Sequence, residues 1–392
     1  MSQSTGVNSA PEIASKPGPR GAKKQPVGWR SDLAAWWQGF SQPSALAFSV
    51  FGLSLVATVA LCVWFFSEAT IGGWYGRYLP RSALDDDGFA TREALKAGYE
   101  EATLPRLMVL GSSTIAQAVG SGQELEQKIL DLTGQKWRVV VLTTAGQSPT
   151  EQFALIECAL ERQRADSPPV VVAVGFGPQR MRWTAEKTVG IATSRRLGLR
   201  SDWEDAEVRV LGGTPMPRRG FYPLDNWDFF LVNGARSLLR LALQQPASRK
   251  VDYFTRGREG PETQAVRDTR GARIRDSFPQ RHGYYSQISR LAANVASRPN
   301  TSLVFIEETI SPDLVTDQGL AGIHDQMRRE MAEMAQQQGF RFWPVTTEAN
   351  LSSAHYHDDL HIQTGEAQDI LRTMIARHMS VAMTLKGIAH GE

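Results

Sequence analysis

The sequence predicts an α/β protein, a three-layer α/β/α sandwich with a parallel sheet, behind a single N-terminal transmembrane helix. From about residue 105 onward, short apolar runs alternate with stretches of helical periodicity. The apolar runs are nearly continuous rather than alternating with polar residues. Strands of this kind are buried on both faces, which is typical of parallel sheets covered by helices.

Composition and charge exclude several classes of protein. The chain has 392 residues, of which 42% are hydrophobic and 21% charged, so it is too apolar for a disordered protein. The formal net charge is only +2, whereas a nucleic-acid-binding protein shows a basic surplus. Because of this near-neutral charge, we expect no nucleic-acid partner. The two cysteines, Cys62 and Cys158, cannot build a disulfide framework or a cysteine zinc site.

An uncharged run at residues 44–66 is the candidate transmembrane helix. At 1.5 Å per residue it is about 34 Å long, enough to cross a hydrocarbon core of about 30 Å. A cleavable signal peptide would start nearer the N-terminus and end in small residues, whereas this run ends in Trp64, Phe65 and Phe66. We expect an uncleaved membrane anchor preceded by a disordered tail at residues 1–43.

The charges before the anchor predict its orientation. Only two acidic residues, Glu12 and Asp32, precede the anchor. The basic residues before it are more numerous: Lys16, Arg20, Lys23, Lys24 and Arg30. Such an N-terminus stays in the cytoplasm. We expect a single-pass protein of a bacterial inner (cell) membrane with its main domain in the periplasm or another extracytoplasmic space. That part would comprise a linker at residues 67–104 and a domain at 105–392 with an insertion at about 180–300.

The elements of this domain follow from local periodicity. The first apolar run, Arg106–Leu110, ends at a glycine and is predicted to be a strand, and Ile115–Leu132 has the spacing of a helix. The elements predicted after it are a strand at Trp137–Thr143, a helix from Thr150, strands at Val170–Val174 and Ser302–Ile306, a helix at Leu320–Gln338, a strand at Phe340–Val345 and a helix from about Gly365. The insertion interrupts this rhythm and contains an amphipathic stretch, Trp227–Leu243, which we expect to pack on its own domain.

Gly111, Ser112 and Ser113 form the first candidate site, because they follow the first predicted strand. In open α/β sheets, sites form at the carboxyl ends of strands. A serine there gains exposed backbone N–H groups and the positive end of a helix dipole, which stabilise a developing oxyanion. The same residues are also consistent with an ordinary glycine turn and an N-cap serine.

A second candidate site is the histidine-rich stretch before the last helix, with His355, His357, Asp358 and His361. An Asp three residues before a His can accept a hydrogen bond from the Nδ1–H group of that ring and leave the other ring nitrogen free as a general base. A metal-dependent hydrolase using His355, His357 and His361 is a competing interpretation, and a solvated polar loop is another. The chain has neither a complete dinucleotide fingerprint nor a phosphate-binding Gly-Lys-Ser/Thr loop, so we expect no cofactor.

In combination, the GSS sequence after the first strand, TAGQS after the second and D-x-x-H before the last helix resemble the SGNH/GDSL hydrolase superfamily. The resemblance covers roughly Leu107–Arg377, with the insertion unmatched. The N-terminal anchor, the GSS variant and the Pro-Gln after the third strand look most like DltD-type proteins of teichoic-acid D-alanylation. They are also similar to proteins that work beside membrane O-acyltransferases in polysaccharide acetylation.

The resemblance implies a catalytic triad of Ser113, His361 and Asp358, with an oxyanion hole formed by the backbone N–H groups of Ser113 and Gly146. An Asn of the family's third block is absent here, and Gln179 is its candidate replacement. The implied function is a serine esterase or O-acyltransferase, with acetyl as the acyl group, acting on a cell-surface or secreted polysaccharide of the cellulose or alginate kind. Its implied partner is a membrane O-acyltransferase or a polysaccharide synthase. The alternative is a non-catalytic scaffold of the same fold that binds glycan or partner proteins in an exopolysaccharide synthesis and secretion complex.

Overall fold

A computed structural model describes residues 36–38, 45–65, 67–73, 86–193, 197–218, 220–227, 229 and 262–385. The chain divides into two compact units, Met1–Leu61 and Cys62–Glu392. Helix α1, Ala45–Phe65, is apolar on every side, and its span Ala45–Trp64 is long and apolar enough to cross a membrane. A helix that is apolar all round belongs in a protein core or in lipid, and the side chains of this span are not buried by protein.

The second unit is an α/β domain. Its elements, in chain order, are α2 (Glu68–Gly73), α3 (Asp86–Tyr99), β1 (Arg106–Leu110), α4 (Ser113–Val119), α5 (Gln123–Thr133), β2 (Arg138–Val141), α6 (Pro149–Ala159), β3 (Val170–Phe176), α7 (Ala185–Thr193), α8 (Asp202–Val210), α9 (Gln264–Ser277), α10 (Arg281–Ala296), β4 (Thr301–Glu307), α11 (Pro312–Asp317), α12 (Ala321–Gln338), β5 (Arg341–Trp343), α13 (Val345–Ala349) and α14 (Glu366–Leu385). Short 3-10 helices at Pro178–Arg182, Phe278–Gln280 and Ser353–His355 connect some of them.

The five strands form one parallel sheet in the order β2-β1-β3-β4-β5, which confirms the predicted α/β class and parallel pairing. Successive residues of β1 point to opposite faces, so Met108 and Leu110 join one apolar cluster while Leu107 and Val109 join another. Because both faces are buried, the residues of β1 that follow Arg106 are all apolar, which explains the continuous apolar run Leu107–Leu110.

Helices cover both faces of the sheet. On one face the core receives side chains from α3, α6, α10 and α12, and on the other from α4, α5 and α14. Representative buried residues of the first face are Ala90, Phe153, Ile288 and Met331, and those of the second are Val119, Ile129 and Leu371. Full burial of one large aliphatic or aromatic side chain stabilises the fold by about 1.5–3 kcal/mol, so these two layers supply the main driving force.

The helix predicted at Ile115–Leu132 is wrong as a single element. It is divided into α4 and α5, because Gly120 and Gly122 between them have φ angles of 68° and 88°, which break helical geometry. The strand predicted at Phe340–Val345 is shorter, since Pro344 follows Trp343 directly and has no N–H for the ladder.

Two stretches outside the strand–helix rhythm contain more structure than the sequence indicated. The expected linker at residues 67–104 carries α2 and α3, and Ala94 of α3 is fully buried in the core. The expected insertion at about 180–300 contributes α10 to one face of the sheet and α9, which packs on the 3-10 helix Pro178–Arg182. Apart from Trp227 and Phe229, the amphipathic stretch Trp227–Leu243 lies outside the described residues.

The strand order places a topological switch point between β1 and β3. The chain leaves β1 toward β2 on one side and then crosses to β3 on the other side. A crevice forms where such connections diverge at the carboxyl ends of the strands. Ser113 follows β1 and Pro178 follows β3, so both lie at this edge of the sheet.

Candidate active site

Gly111 sets the direction of the chain between β1 and α4. Its φ of 153° is unfavourable for any residue with a side chain, and a Cβ atom there would lie 2.7 Å from Ile115. Ser113 is the first residue of α4 and is partly exposed, whereas Ser112 is buried. The Ser112 hydroxyl lies 2.9 Å from that of Thr114, so of the two serines Ser113 faces the crevice.

A tight hairpin presents Asp358 and His361. Tyr356 and Ile362 form an antiparallel bridge, and the His357 N–H donates to the carbonyl of His361 at 2.7 Å. Within the turn, Asp358 Oδ1 accepts the backbone N–H groups of Leu360 at 2.8 Å and His361 at 2.9 Å. Asp side chains close turns in this way. Asp358 therefore has two roles: one oxygen stabilises the turn, and the other accepts a hydrogen bond from the His361 ring.

Ser113, His361 and Asp358 form a continuous hydrogen-bonded chain. The distance from Ser113 Oγ to His361 Nε2 is 2.7 Å, and the distance from His361 Nδ1 to Asp358 Oδ2 is also 2.7 Å. An ionised carboxylate can only accept, so Nδ1 carries the proton and Nε2 accepts the serine hydroxyl. Residues 248 positions apart in sequence are thus brought together in the arrangement of a nucleophile, a base and an orienting acid.

The surroundings of Asp358 favour its charged form. Burial alone would raise its pKa, but the hydrogen bond and charge of His361 and the two backbone N–H groups lower it well below the ordinary value. The carboxylate therefore stays ionised at neutral pH and holds the His361 ring in the tautomer that the base needs.

Gly146 lies in the loop after β2, next to the β1–α4 junction. Its φ is 61°, and the N–H of Thr144 in the same loop donates to the carbonyl of Gly111 at 3.2 Å. Gln147 is fully buried and holds the loop from within through a 2.7 Å bond to the Leu142 carbonyl. The loop that carries the expected oxyanion donor Gly146 is therefore fixed against the glycine that precedes the two serines.

Gln179 lies near the same edge, but one of its amide hydrogens is engaged elsewhere. Its Nε2 donates to Glu308 Oε2 at 2.6 Å. Its role as the third oxyanion donor stays a prediction that depends on the second hydrogen of the same amide.

Glu308 is a residue that the sequence analysis missed. It is fully buried at the end of β4 and accepts Arg180 Nε at 2.9 Å and Nη2 at 2.6 Å. Arg180 also donates to the carbonyl of Gln147, and Ser112 lies 3.4 Å from Glu308. The sequence does contain a signal for this residue, because two consecutive glutamates follow the apolar run SLVFI directly. Charged side chains at the end of a buried strand are almost never fully buried unless they are paired.

The three histidines of the metal hypothesis do not converge. His355 Nδ1 lies 2.9 Å from the Ser352 hydroxyl, and both ring nitrogens of His361 are occupied by Asp358 and Ser113. Among the described residues, no group of three or more His, Cys, Asp or Glu side chains is arranged to hold a metal ion.

Helix α9 of the insertion supports the Asp358 hairpin from outside. Arg267 Nε lies 3.2 Å from the buried Asp359, and Arg270 Nη1 lies 3.7 Å from Asp359 and 3.8 Å from Asp358. Arg270 also pairs with Glu262. Sequence reasoning could not find these contacts, since they connect the insertion to the hairpin only through tertiary packing.

Glu262 makes stability depend on pH. Burial and the hydrogen bond with Asp359 raise its pKa to about 7, despite the opposing charge of Arg270. Between its ordinary pKa and this value, the folded chain holds a proton that the unfolded chain lacks, so stability falls as pH rises through this window. We expect Glu262→Gln, which is neutral throughout, to match the native Tm at about pH 4, below the ordinary pKa of the carboxyl, and to exceed it at pH 8.

The measurement is thermal unfolding of the full chain in detergent at both values of pH. Glu333→Gln is the matched control, because Glu333 is exposed on α12. Parallel Tm curves for the native chain and Glu262→Gln would contradict the assigned proton.

Comparison with known proteins leaves the site to be judged on its own geometry. The chain matches no model of a known protein family, and no curated protein is detectably similar to it.

Proposed function

We propose that this protein is a membrane-anchored, extracytoplasmic serine esterase or O-acyltransferase of the SGNH type. One observation carries the proposal: the chain of 2.7 Å hydrogen bonds from Ser113 through His361 to Asp358, located at the switch point of a parallel sheet. A serine after a glycine turn, a histidine whose Nε2 lone pair accepts the serine hydroxyl and a half-buried, ionised aspartate together make an activated nucleophile.

The reaction would begin with attack of Ser113 Oγ on an ester carbonyl carbon while His361 Nε2 takes the hydroxyl proton. The backbone N–H groups of Ser113 and Gly146 would stabilise the resulting oxyanion. Collapse of this intermediate breaks the ester C–O bond, and the leaving alcohol takes the proton from His361. Water or a sugar hydroxyl then attacks the acyl-serine carbonyl and gives its proton to His361. The bond to Ser113 Oγ breaks, that oxygen takes the proton from His361, and a carboxylic acid or a new ester is released.

Topology supports the assignment of place and substrate class. With α1 as an anchor and the basic tail in the cytoplasm, the α/β domain would lie outside a bacterial inner membrane. Tethering raises the effective concentration of the site at a membrane-bound partner, such as an O-acyltransferase or a polysaccharide synthase. An acetylated cell-surface or secreted polysaccharide is the substrate that the sequence resemblance implies, and a membrane-tethered site is compatible with it.

A fluorophosphonate reagent tests the nucleophile directly. We expect the full chain in detergent to gain one phosphonyl group, located on Ser113 by peptide mass spectrometry. The reagent reacts only with a serine that a neighbouring base activates. EDTA should leave labelling unchanged, because the described site contains no metal ligand set.

Ser112 provides the matched control one residue away. Ser112→Ala should still be labelled, since the Ser112 hydroxyl contacts Thr114 and Glu308 rather than a histidine. Ser113→Ala should gain no phosphonyl group. A folded native chain that resists the reagent altogether would contradict the enzyme proposal and favour a non-catalytic scaffold of the same fold.

A further inference from the structure

Two arginines at the carboxyl edge of the sheet carry charge that no described carboxylate balances. Arg182 ends the 3-10 helix after β3, and Arg273 lies on α9, which packs on that 3-10 helix. Both side chains are exposed. Neither makes an ion pair or a side-chain hydrogen bond with any residue in the described part of the chain, whereas nearby Arg180 is buried and paired with Glu308.

The position of Arg182 connects it to the active site. Its Nη2 lies 3.9 Å from where a Cβ atom on Gly146 would be. The Gly146 loop in turn bonds to Gly111, two residues before Ser113. The guanidinium carbon also lies 5.5 Å from the ring centre of the buried Trp183. A cation therefore flanks the loop that carries the expected oxyanion donor.

The surrounding charges do not neutralise this region. Partial desolvation, then the positive charges of Arg180 and Arg273, lower the pKa of Arg182, and Glu308 opposes them only in part. Glu308 is already paired with Arg180, and the carboxylates of the Asp358 hairpin face Arg267 and Arg270. Arg182 and Arg273 thus form a site of local positive charge that an anion would stabilise.

We propose that Arg182 and Arg273 form an anion-binding subsite beside Ser113, which receives a carboxylate or phosphate group carried by the substrate. The guanidinium group is suited to this role, because its donors match the geometry of both groups. This inference rests on the proposed function, in which Ser113 attacks the ester. It narrows the substrate class to glycans or acyl groups that bear negative charge close to the ester.

Direct binding tests the subsite without any need for catalysis. The full-length Ser113→Ala chain in detergent is titrated by calorimetry with trigalacturonic acid, glucose 1-phosphate and neutral cellotriose. We expect the carboxylate or the phosphate ligand to bind at least tenfold more tightly than cellotriose at low salt, and added salt should reduce the difference. The two anionic ligands distinguish a uronate from a phosphate as the natural group.

Substitutions assign the binding to the two arginines. Arg182→Gln and Arg273→Gln should each weaken the anionic ligand about tenfold, and Arg182→Lys should weaken it less. Arg329→Gln is the matched control, because Arg329 is an exposed arginine of α12 that makes no ion pair with a described residue. Equal affinity for all three ligands, or unchanged affinity in both Gln variants, would overturn the subsite.

Ester kinetics separate this inference from the proposed function. For Arg182→Gln, the ratio of kcat/KM on an aryl ester with a carboxylate to that on p-nitrophenyl acetate should fall about tenfold, mainly through KM. A fall of equal size in kcat for both esters would mean that the guanidinium contacts the oxyanion, and would overturn the subsite. If the native chain hydrolyses neither ester and its Ser113 also resists the fluorophosphonate reagent, the proposed function fails while the binding titration still decides the subsite.

Discussion

Asp358→Asn is expected to lower kcat/KM for p-nitrophenyl acetate by about 10³- to 10⁴-fold, with most of the loss in kcat. The native carboxylate accepts hydrogen bonds from His361 Nδ1–H and from two backbone N–H groups of its own turn. Asparagine keeps one oxygen for the turn but presents an NH₂ group to Nδ1. The ring then carries its proton on Nε2, where it can no longer accept the proton of Ser113.

The control for this variant is Asp369→Asn, which removes an aspartate from the surface of α14 whose one ion pair with a described side chain is that with Lys128. Its kinetics should match those of the native chain, and both variants should unfold at similar temperatures if the hairpin is intact. Because the pKa of Asp358 is held well below its usual range, its ionisation cannot account for any loss of native activity near neutral pH. If Asp358→Asn keeps more than a tenth of the native kcat/KM, the triad assignment is wrong.

Local signals in the sequence predict the parts of the site that depend on local geometry. Each of these signals can be recognised within a few residues: the glycine before Ser112, the three-residue spacing from Asp358 to His361 and the apolar strands. The structure brings Ser113, His361 and Asp358 together. The helix predicted at Ile115–Leu132 was wrong as one element. The apolar spacing continues across Gly120 and Gly122, but the helical backbone is interrupted there.

The supporting contacts could not be predicted because they are not local. Arg180 and Glu308 are 128 residues apart, and neither has a periodicity that points to the other. The contacts of Arg267 and Arg270 with the Asp358 hairpin depend on how the insertion packs. The sequence pattern shows that the insertion interrupts the strand–helix rhythm, but not that α9 returns to the active-site hairpin.

Glu308→Gln is expected to lower the free energy of unfolding by about 3–5 kcal/mol, the largest stability loss that we predict. The side chains of Glu308 and Arg180 are 0% and 3% exposed, so the substitution leaves a buried guanidinium without its counter-charge. Burial lowers the pKa of Arg180, but the charge and hydrogen bond of Glu308 more than offset this and raise it above its ordinary value. Chemical denaturation of the full chain in detergent, followed by tryptophan fluorescence, measures the loss.

The double variant Arg180→Met with Glu308→Leu tests whether the pair serves stability or the site. Replacing both charges by apolar side chains removes the desolvation cost together with the attraction, so the double variant should be more stable than Glu308→Gln. It should nevertheless lose activity, because Arg180 holds the Gln147 carbonyl and Glu308 holds Gln179 and Ser112. If the double variant is stable and fully active, the buried pair does not position the Gly146 loop. A stable but inactive variant would indicate that the ion pair is retained for the geometry of the oxyanion side of the site.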